Sequence, residues 1–500
     1  MGQAFSLRTR FQRVQPGRKA GCREEPLAFP GNANFMHPSR VAYRCVTLIL
    51  AMAACHVLPA QQPAPQTGVT ITQAVEGALR NYPSIRVTQE QMNAAAAGIR
   101  LAQTAYLPRV DGLAQINRAT RNTFYGLLLP QGIIPGVDGV PANNLGSVWD
   151  SGAGILVTWQ PFDFGVRAAN VAAATAGRDR AQATINRTTY DVSVATADAF
   201  LTVIAAQQTA QAARAAVDSW QVLLQSIHAL VAAQLRPGAD ESRVQAELAL
   251  AQTQLAQAEQ AIDVSRSTLA QFAGLAPPQL NLTPGKLIDQ LPTDRPEAPL
   301  RTAANPIAIE QNSVIAQQQS QLKAIDRTYY PQFLVQGLAA ARGTGMLTNG
   351  SRLGGLNGLG PTVQNYGAGL TVTFPAMDRF AIRQQEAMES ANIRAAQAQY
   401  QVVATELETR FNAALATLAG ARRVARSTPV EVSSAQAALQ QATARYQTGL
   451  SPIDEVAQAQ RLLVQAQIDD ALARLNVWRA RLQIDTARGN IQPFLTEASQ

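Results

Sequence analysis

Between Gly165 and Arg236 the chain runs without a proline and with a single glycine, Gly177, and this stretch limits the possible folds more than any other. From about Arg167 to Leu235 it is rich in Ala and Gln, which hold a helix at little cost in side-chain freedom. A helix of about 70 residues is a rod of roughly 100 Å, whereas ordinary globular helices have about 11–12 residues. Apolar residues recur at helical spacing, as in Trp220, Leu223, Leu224, Ile227 and Val231. Such a rod cannot sit inside a compact core and must pack lengthwise on other long helices. A second rod runs from about Ala381 to Gln447, with no proline before Pro429 and one glycine, Gly420. Each rod is followed by a short Gly-containing turn and a helix of about 35 residues, so the architecture is duplicated.

The rest of the chain repeats in the same order. Thr70-Ile71-Thr72 opens a helix, with Thr72 as its N-cap and a break at Pro83, that ends near Tyr106-Leu107-Pro108. Extended segments follow at about 109–118 and 152–160, separated by a polar loop from about Thr120 to Asp150. Pro161-Phe162-Asp163-Phe164-Gly165 turns the chain into the first rod, about 166–235, whose return helix covers about 240–274. In the second half Asn305-Pro306 opens the helix and Tyr329-Tyr330-Pro331 closes it. Strands follow at about 332–341 and 365–374, around the Gly-rich stretch Gly343–Gly360, then a long helix at about 379–447 and a return helix at about 452–488. In the last strand Tyr366, Ala368, Leu370, Val372 and Phe374 alternate with Gly367, Gly369, Thr371 and Thr373, giving one apolar and one small, polar face. The resulting divisions are a leader at 1–60, a linker at 61–69, repeats at 70–280 and 303–490 around a linker at 281–302, and a tail at 491–500. Two short strands per repeat make four per chain, too few to close a barrel, and open edges cannot face lipid. If the strands span a membrane, several copies must close the barrel together.

The first 60 residues read as a targeting region. Cys45–Cys55 is an apolar run of about 11 residues behind Arg40 and Arg44, a signal-peptide core rather than a span. Met36 is a candidate start, and two processing routes stay open: cleavage after Ala60, or lipidation of Cys55 behind Ala53 and Ala54. The leader holds eight Lys and Arg against two Glu, so only about +2 of the formal charge of +8 belongs to the remainder. The basic pI is therefore no sign of nucleic-acid binding. All three cysteines lie in the leader and one histidine, His228, lies beyond residue 60, so disulfides, thiolate metal sites and cofactors are not expected there. No run of 18 apolar residues follows residue 60, which leaves any spanning to β-strands.

This order of helix, two strands, long helix, turn and helix, met twice, resembles the TolC-type outer-membrane efflux channels. The residues that carry the resemblance are Ala78-Leu79, Asn81-Tyr82-Pro83, the helix-to-strand junctions at Pro108 and Pro331, Pro161–Gly165, and Gly449–Val456 with Ala459-Gln460-Arg461. It covers about residues 69–490. It implies a mainly α fold with membrane β-strands: a homotrimer whose 12-stranded β-barrel, surrounded by outer-membrane lipid, continues into a periplasmic α-helical barrel. It further implies a periplasmic adaptor and an inner-membrane transporter as partners. The function implied is the outer-membrane channel of a tripartite efflux or type I secretion system, conducting solutes or proteins passively. The alternatives are a periplasmic coiled-coil tether, which has no use for the alternating strands, and a secreted enzyme, which would need an acid–base constellation. Catalytic, cofactor and metal sites are not expected. The family commonly carries an acidic residue where this chain has Gln458.

Candidate sites cluster at the two turns that end the rods. Asp240, Glu241, Asp454 and Glu455 open the return helices, either as charges that complement the helix dipole or as a carboxylate ring at a tunnel mouth. Gly449, Leu450 and Ser451 are the adaptor-contact candidates, with Gly449 also a helix C-cap and Leu450 an apolar residue at an exposed turn. His228 with Ser226 makes no triad, and Gly343–Gly360 lacks the Gly-Lys-Ser/Thr of a phosphate loop. Arg422, Arg423 and Arg426 read as a solvated helix face. Tyr125, Trp149, Trp159 and Tyr366 are expected at strand ends, as a membrane-interface belt or as turn packing.

Overall fold

The computed structural model describes residues 68–120, 146–274, 280–294, 296, 298–347 and 351–499. The leader with Cys55, the linker up to Thr67, and Tyr125 lie outside the described residues.

Helix α1 (Ile71–Asn81) begins one residue after Thr70, which is its N-cap. The Thr70 hydroxyl accepts from the Gln73 amide at 3.3 Å while the Gln73 side chain accepts from the Thr70 amide at 3.0 Å. This reciprocal box needs Gln at the third helical position, which is why Thr70 and not Thr72 caps the helix. Pro83 starts a separate helix, α2 (Pro83–Gln103), at a first-turn position where its missing N–H costs nothing. Two strands follow, β1 (Arg109–Thr120) and β2 (Ser147–Trp159), and then the first rod, α3 (Val166–Ala232), and its return helix, α4 (Gly238–Ala273). Short α5 (Lys286–Asp289) precedes the second half, made of α6 (Pro306–Arg327), β3 (Gln332–Thr344), β4 (Val363–Thr373), α7 (Arg379–Gln447), α8 (Ile453–Arg488) and α9 (Gln492–Ser499).

Strand β2 begins five residues before the expected Gly152, because its pairing with β1 continues to Thr120↔Ser147. Arg118 supports that end by donating to Ser147 Oγ at 3.0 Å and lying 5.1 Å over the Trp149 ring. Strand β3 also reaches further than expected, to Thr344, where Gly343 lets the chain at Gly360 approach closer than a Cβ would allow. Helix α3 ends earlier than expected, at Ala232, where the chain turns through a left-handed Gln234, φ +61°.

The strands form one antiparallel meander in the order β1-β2-β3-β4, so β1 and β4 are its two edges. Cross-strand partners share a face. Val110 pairs with Val157, Ile155 with Ala339, Ala339 with Tyr366, and Val335 with Leu370, and this apolar face is solvent-exposed in the single chain. The opposite face carries Arg109, Asp111, Gln115 and Asn117 of β1, Thr158 of β2, Gln332 and Gln336 of β3, and Thr371 and Thr373 of β4. Trp159 lies at the end of β2 as expected, whereas Tyr366 sits in the body of the sheet opposite Ala339.

The junction from sheet to rod is tied together by Asp163 and Arg167. Asp163 accepts from the Gly165 amide at 3.2 Å, the Arg167 amide at 2.6 Å and the Arg167 guanidinium at 2.9 Å. Arg167, itself buried, lies 4.6 Å over the Tyr106 ring. Burial alone would raise the Asp163 carboxyl, but these hydrogen bonds outweigh it and hold the group below its ordinary value. Phe164 takes a left-handed φ of +50° and stacks on Tyr330 at 5.2 Å, so an aromatic contact joins the two halves here.

Along the rods, α3 packs on α4 and α7 on α8, while α6 nearer the sheet and α8 further from it fill the space between α3 and α7. The main core lies at mid-length. Phe200, Leu201 and Ile204 of α3 meet Trp478 and Leu482 of α8 there, covered by Ile71 of α1, Leu287 of α5 and Phe494 of α9. Residues from both ends and the middle of the chain thus form a belt on one side of the rods. Arg422 belongs to this belt, not to a solvated face: it pairs with Asp294 at 2.5 Å and is largely covered.

Candidate functional site

The rods end in two turns that touch each other. In the second, Gly449 has φ +78°, its amide donates to Tyr446 O at 3.0 Å, and the Leu450 amide reaches back to Arg445 O at 2.9 Å. These bonds satisfy the last carbonyls of α7 and need a residue without a Cβ at position 449. The turn projects Leu450, which is 73% exposed, and tucks Ser451 inward, so the Ser451 side chain does not reach the surface. A core of Trp220 and Ile227 from α3, Val244 from α4, Tyr446 from α7 and Ile453 and Val456 from α8 packs beneath both turns.

Each of the four carboxylates at this end has a partner. Asp240 accepts from the Tyr446 hydroxyl at 2.9 Å, and Glu241 meets His228 Nδ1 at 2.8 Å. Asp454 pairs with Arg243 at 3.1 Å and Glu455 with Arg445 at 3.4 Å. Two of these contacts, Tyr446 to Asp240 and Arg243 to Asp454, tie the first helical hairpin to the second. Arg236 adds a third tie, lying 4.4 Å over the Tyr446 ring and donating to the Tyr446 carbonyl. Further along, Arg461 crosses to Glu247 at 2.5 Å. Burial first, and then the neighbouring Asp240 carboxylate, push the Tyr446 phenol up to about 12, so it stays a neutral donor at physiological pH.

The sequence reading locates the acidic cluster but misses its counter-charges. Arg236, Arg243, Arg445 and Tyr446 flank the turns in plain view, yet the contact of Tyr446 with Asp240 joins residues 206 positions apart. Helical spacing carries no information on such a pair. Trp149 and Trp159 lie at opposite ends of β2, while His228 is exposed and engaged only with the charge opposite it. Among the described residues no group of three His, Cys, Asp or Glu is placed to hold a metal ion, and no helix is long and apolar enough to cross a membrane.

Solved structures share this arrangement. The CmeC outer membrane channel of Campylobacter jejuni superposes with a TM-score of 0.66 at 15% identity, over 86% of this chain and 89% of that one. The outer membrane protein VceC of Vibrio cholerae gives 0.64 at 17% identity, over 84% and 96%. The open state of the MtrE outer membrane channel of Neisseria gonorrhoeae gives 0.65 at 17% identity, over 86% and 90%. At these identities the likeness establishes the fold. No curated protein matches the sequence. The sequence itself matches the outer membrane efflux protein family over residues 74–275 and 311–490, one segment in each half, and the chain belongs to that family.

Proposed function

We propose that three copies of this outer-membrane efflux channel close one 12-stranded barrel and enclose a tunnel that conducts solutes passively, with no enzymatic step. The observation that carries the reading is the four-stranded meander with β1 and β4 as edges and one apolar face. Open edges are not tolerated in lipid, so β4 of one copy pairs with β1 of the next. Both edges continue into exposed apolar residues: Leu101 and Leu107 ahead of β1, Phe374, Met377 and Phe380 after β4. The apolar face then meets lipid and the polar face lines the pore. The far turns form the periplasmic entrance, where Asp240, Glu241, Asp454 and Glu455 set the local potential. An adaptor bound at Leu450 connects the channel to an inner-membrane transporter. Native mass measurement in detergent is expected to return three chains, in the outer-membrane fraction; a monomer, a dimer or a soluble periplasmic protein would overturn the reading.

A further inference from the structure

Where α8 ends and α6 begins, between α3 and α7, the wall contains a cavity of about 640 Å³, within the size range of small-molecule sites. Its origin is visible in the chain. Helix α8 stops at Arg488 before Gly489, φ +81°, and α6 starts at Pro306, capped by Asn305, whose amide also donates to Ala487 O at 3.0 Å. Two helices meeting end to end leave a gap that one continuous helix would fill. A smaller cavity of about 250 Å³ shares Thr417, Arg479 and Gln483 with it and extends it along the α7–α8 seam.

Tyr190 and Leu482 form the floor of the cavity and belong to the belt core as well, whereas its charged lining is turned away from the belt. On α3 the lining residue Asp198 lies two positions from Phe200, which packs into the belt core, and is therefore turned by about 200° from it. Asp191 lies two turns before Asp198 on the same face, and on α8 Arg479 is turned by about 100° from Trp478. A packed belt cannot lie inside a tunnel and leave it open. If three chains enclose a tunnel, as proposed above, the charged side of the cavity is the one turned towards it.

The lining combines apolar surface from Ile307, Leu407 and Leu482 with four charged side chains, Asp191 and Asp198 on α3, Arg410 on α7 and Arg479 on α8. Asp198 and Arg479 neutralise each other at 2.9 Å. Asp191 is less well matched: Arg187 is 3.5 Å away and is held more closely by Glu310, at 2.6 Å. Burial pushes the Asp191 carboxyl above its ordinary value, against the pull of Arg187. Across the cavity Arg410 pairs with Glu406 on its own helix surface, with both side chains more than half exposed. Such a surface pair is weak and is readily exchanged for a ligand group.

We propose that this cavity is a transit-binding site for zwitterionic, partly apolar organic molecules of drug size, with the cationic end at Asp191, the acidic end at Arg410 and the apolar body between them. Anions meet Asp191 and simple cations meet Arg410, so the arrangement favours a molecule that carries both charges. The test uses the full chain purified in detergent and ciprofloxacin, a fluorescent aromatic acid with a cationic piperazine, as probe. Anisotropy titration at low ionic strength is expected to show saturable binding at one site per chain. Arg410→Gln and Asp191→Asn should each weaken it at least fivefold, and Ala414→Trp, which fills the cavity, should abolish it. Arg422→Gln on the belt side should leave it unchanged. Absence of saturable binding, or binding indifferent to both charge variants, overturns the site. Native mass measurement on the same samples separates the two readings: a trimer that does not bind removes the site alone, and site-dependent binding by a chain that is not trimeric removes the tunnel alone.

Discussion

Asp163 shows how much one side chain can carry in this fold. It caps the first rod and neutralises the buried Arg167, so Asp163→Ala removes a cap and leaves a guanidinium without its counter-charge. We expect a loss of about 3–5 kcal/mol near neutral pH, read as a lower apparent unfolding temperature. Because the folded carboxyl lies below its ordinary 3.8, its contribution is present above that value and is lost as pH falls through the folded value. The difference between wild type and variant should therefore shrink in acid. At the proposed entrance, Glu455 has a longer ion-pair contact than Asp454, 3.4 Å against 3.1 Å, and retains more of its field. Glu455→Gln also leaves Arg445 uncompensated. Planar-bilayer reversal potentials should then show a loss of cation preference, strongest at low salt, with a smaller effect for Asp454→Asn. The opposite ranking would mean that Asp454 faces the lumen.

Elements add constraints that no single residue imposes. The turn after α7 is held by backbone bonds around Gly449 and presents Leu450 outward, so Leu450→Asp changes the surface without disturbing the turn. That variant should keep the trimer and lose adaptor docking, since seating a carboxylate in an apolar contact costs a few kcal/mol. Pull-down with the adaptor and native mass measurement separate the two effects, and unchanged efflux would remove the docking role. Helix α7 runs through Pro429 without ending, with its neighbour Thr428 buried and bonded to Asp470 of α8 at 2.7 Å. Packing against α8 therefore outweighs the local penalty of proline.

For the whole molecule, the belt determines which side of the rods can face a tunnel. Its closing piece is α9, whose Phe494 is fully buried and lies 6.2 Å from Trp478. Phe494→Ala should cost about 3–5 kcal/mol by opening a cavity in the belt core. Thermal unfolding should register that loss, while single-channel conductance of the folded fraction stays unchanged if, as in the proposed trimer, the belt lies outside the conduit. A change in conductance at full stability would place the belt in the conducting path.

Much of this molecule is legible in the order of its residues. The absence of proline and the presence of a single glycine over about 70 residues dictate a rod, the alternation from Tyr366 to Phe374 dictates a strand with one apolar face, and the repeated order of elements exposes the duplication. These are local or periodic properties, written in neighbouring residues. The acidic cluster at the turns is legible for the same reason. Its partners are not, since Tyr446 meets Asp240 and Arg243 meets Asp454 only after two hairpins have packed side by side. The belt around Phe200 and Trp478, the covered Arg422, and the cavity between Asp191 and Arg410 likewise depend on distant segments meeting. Periodicity determines which face of a helix is buried; only the tertiary structure decides what that face is buried against, because long-range contacts leave no repeating mark in the chain.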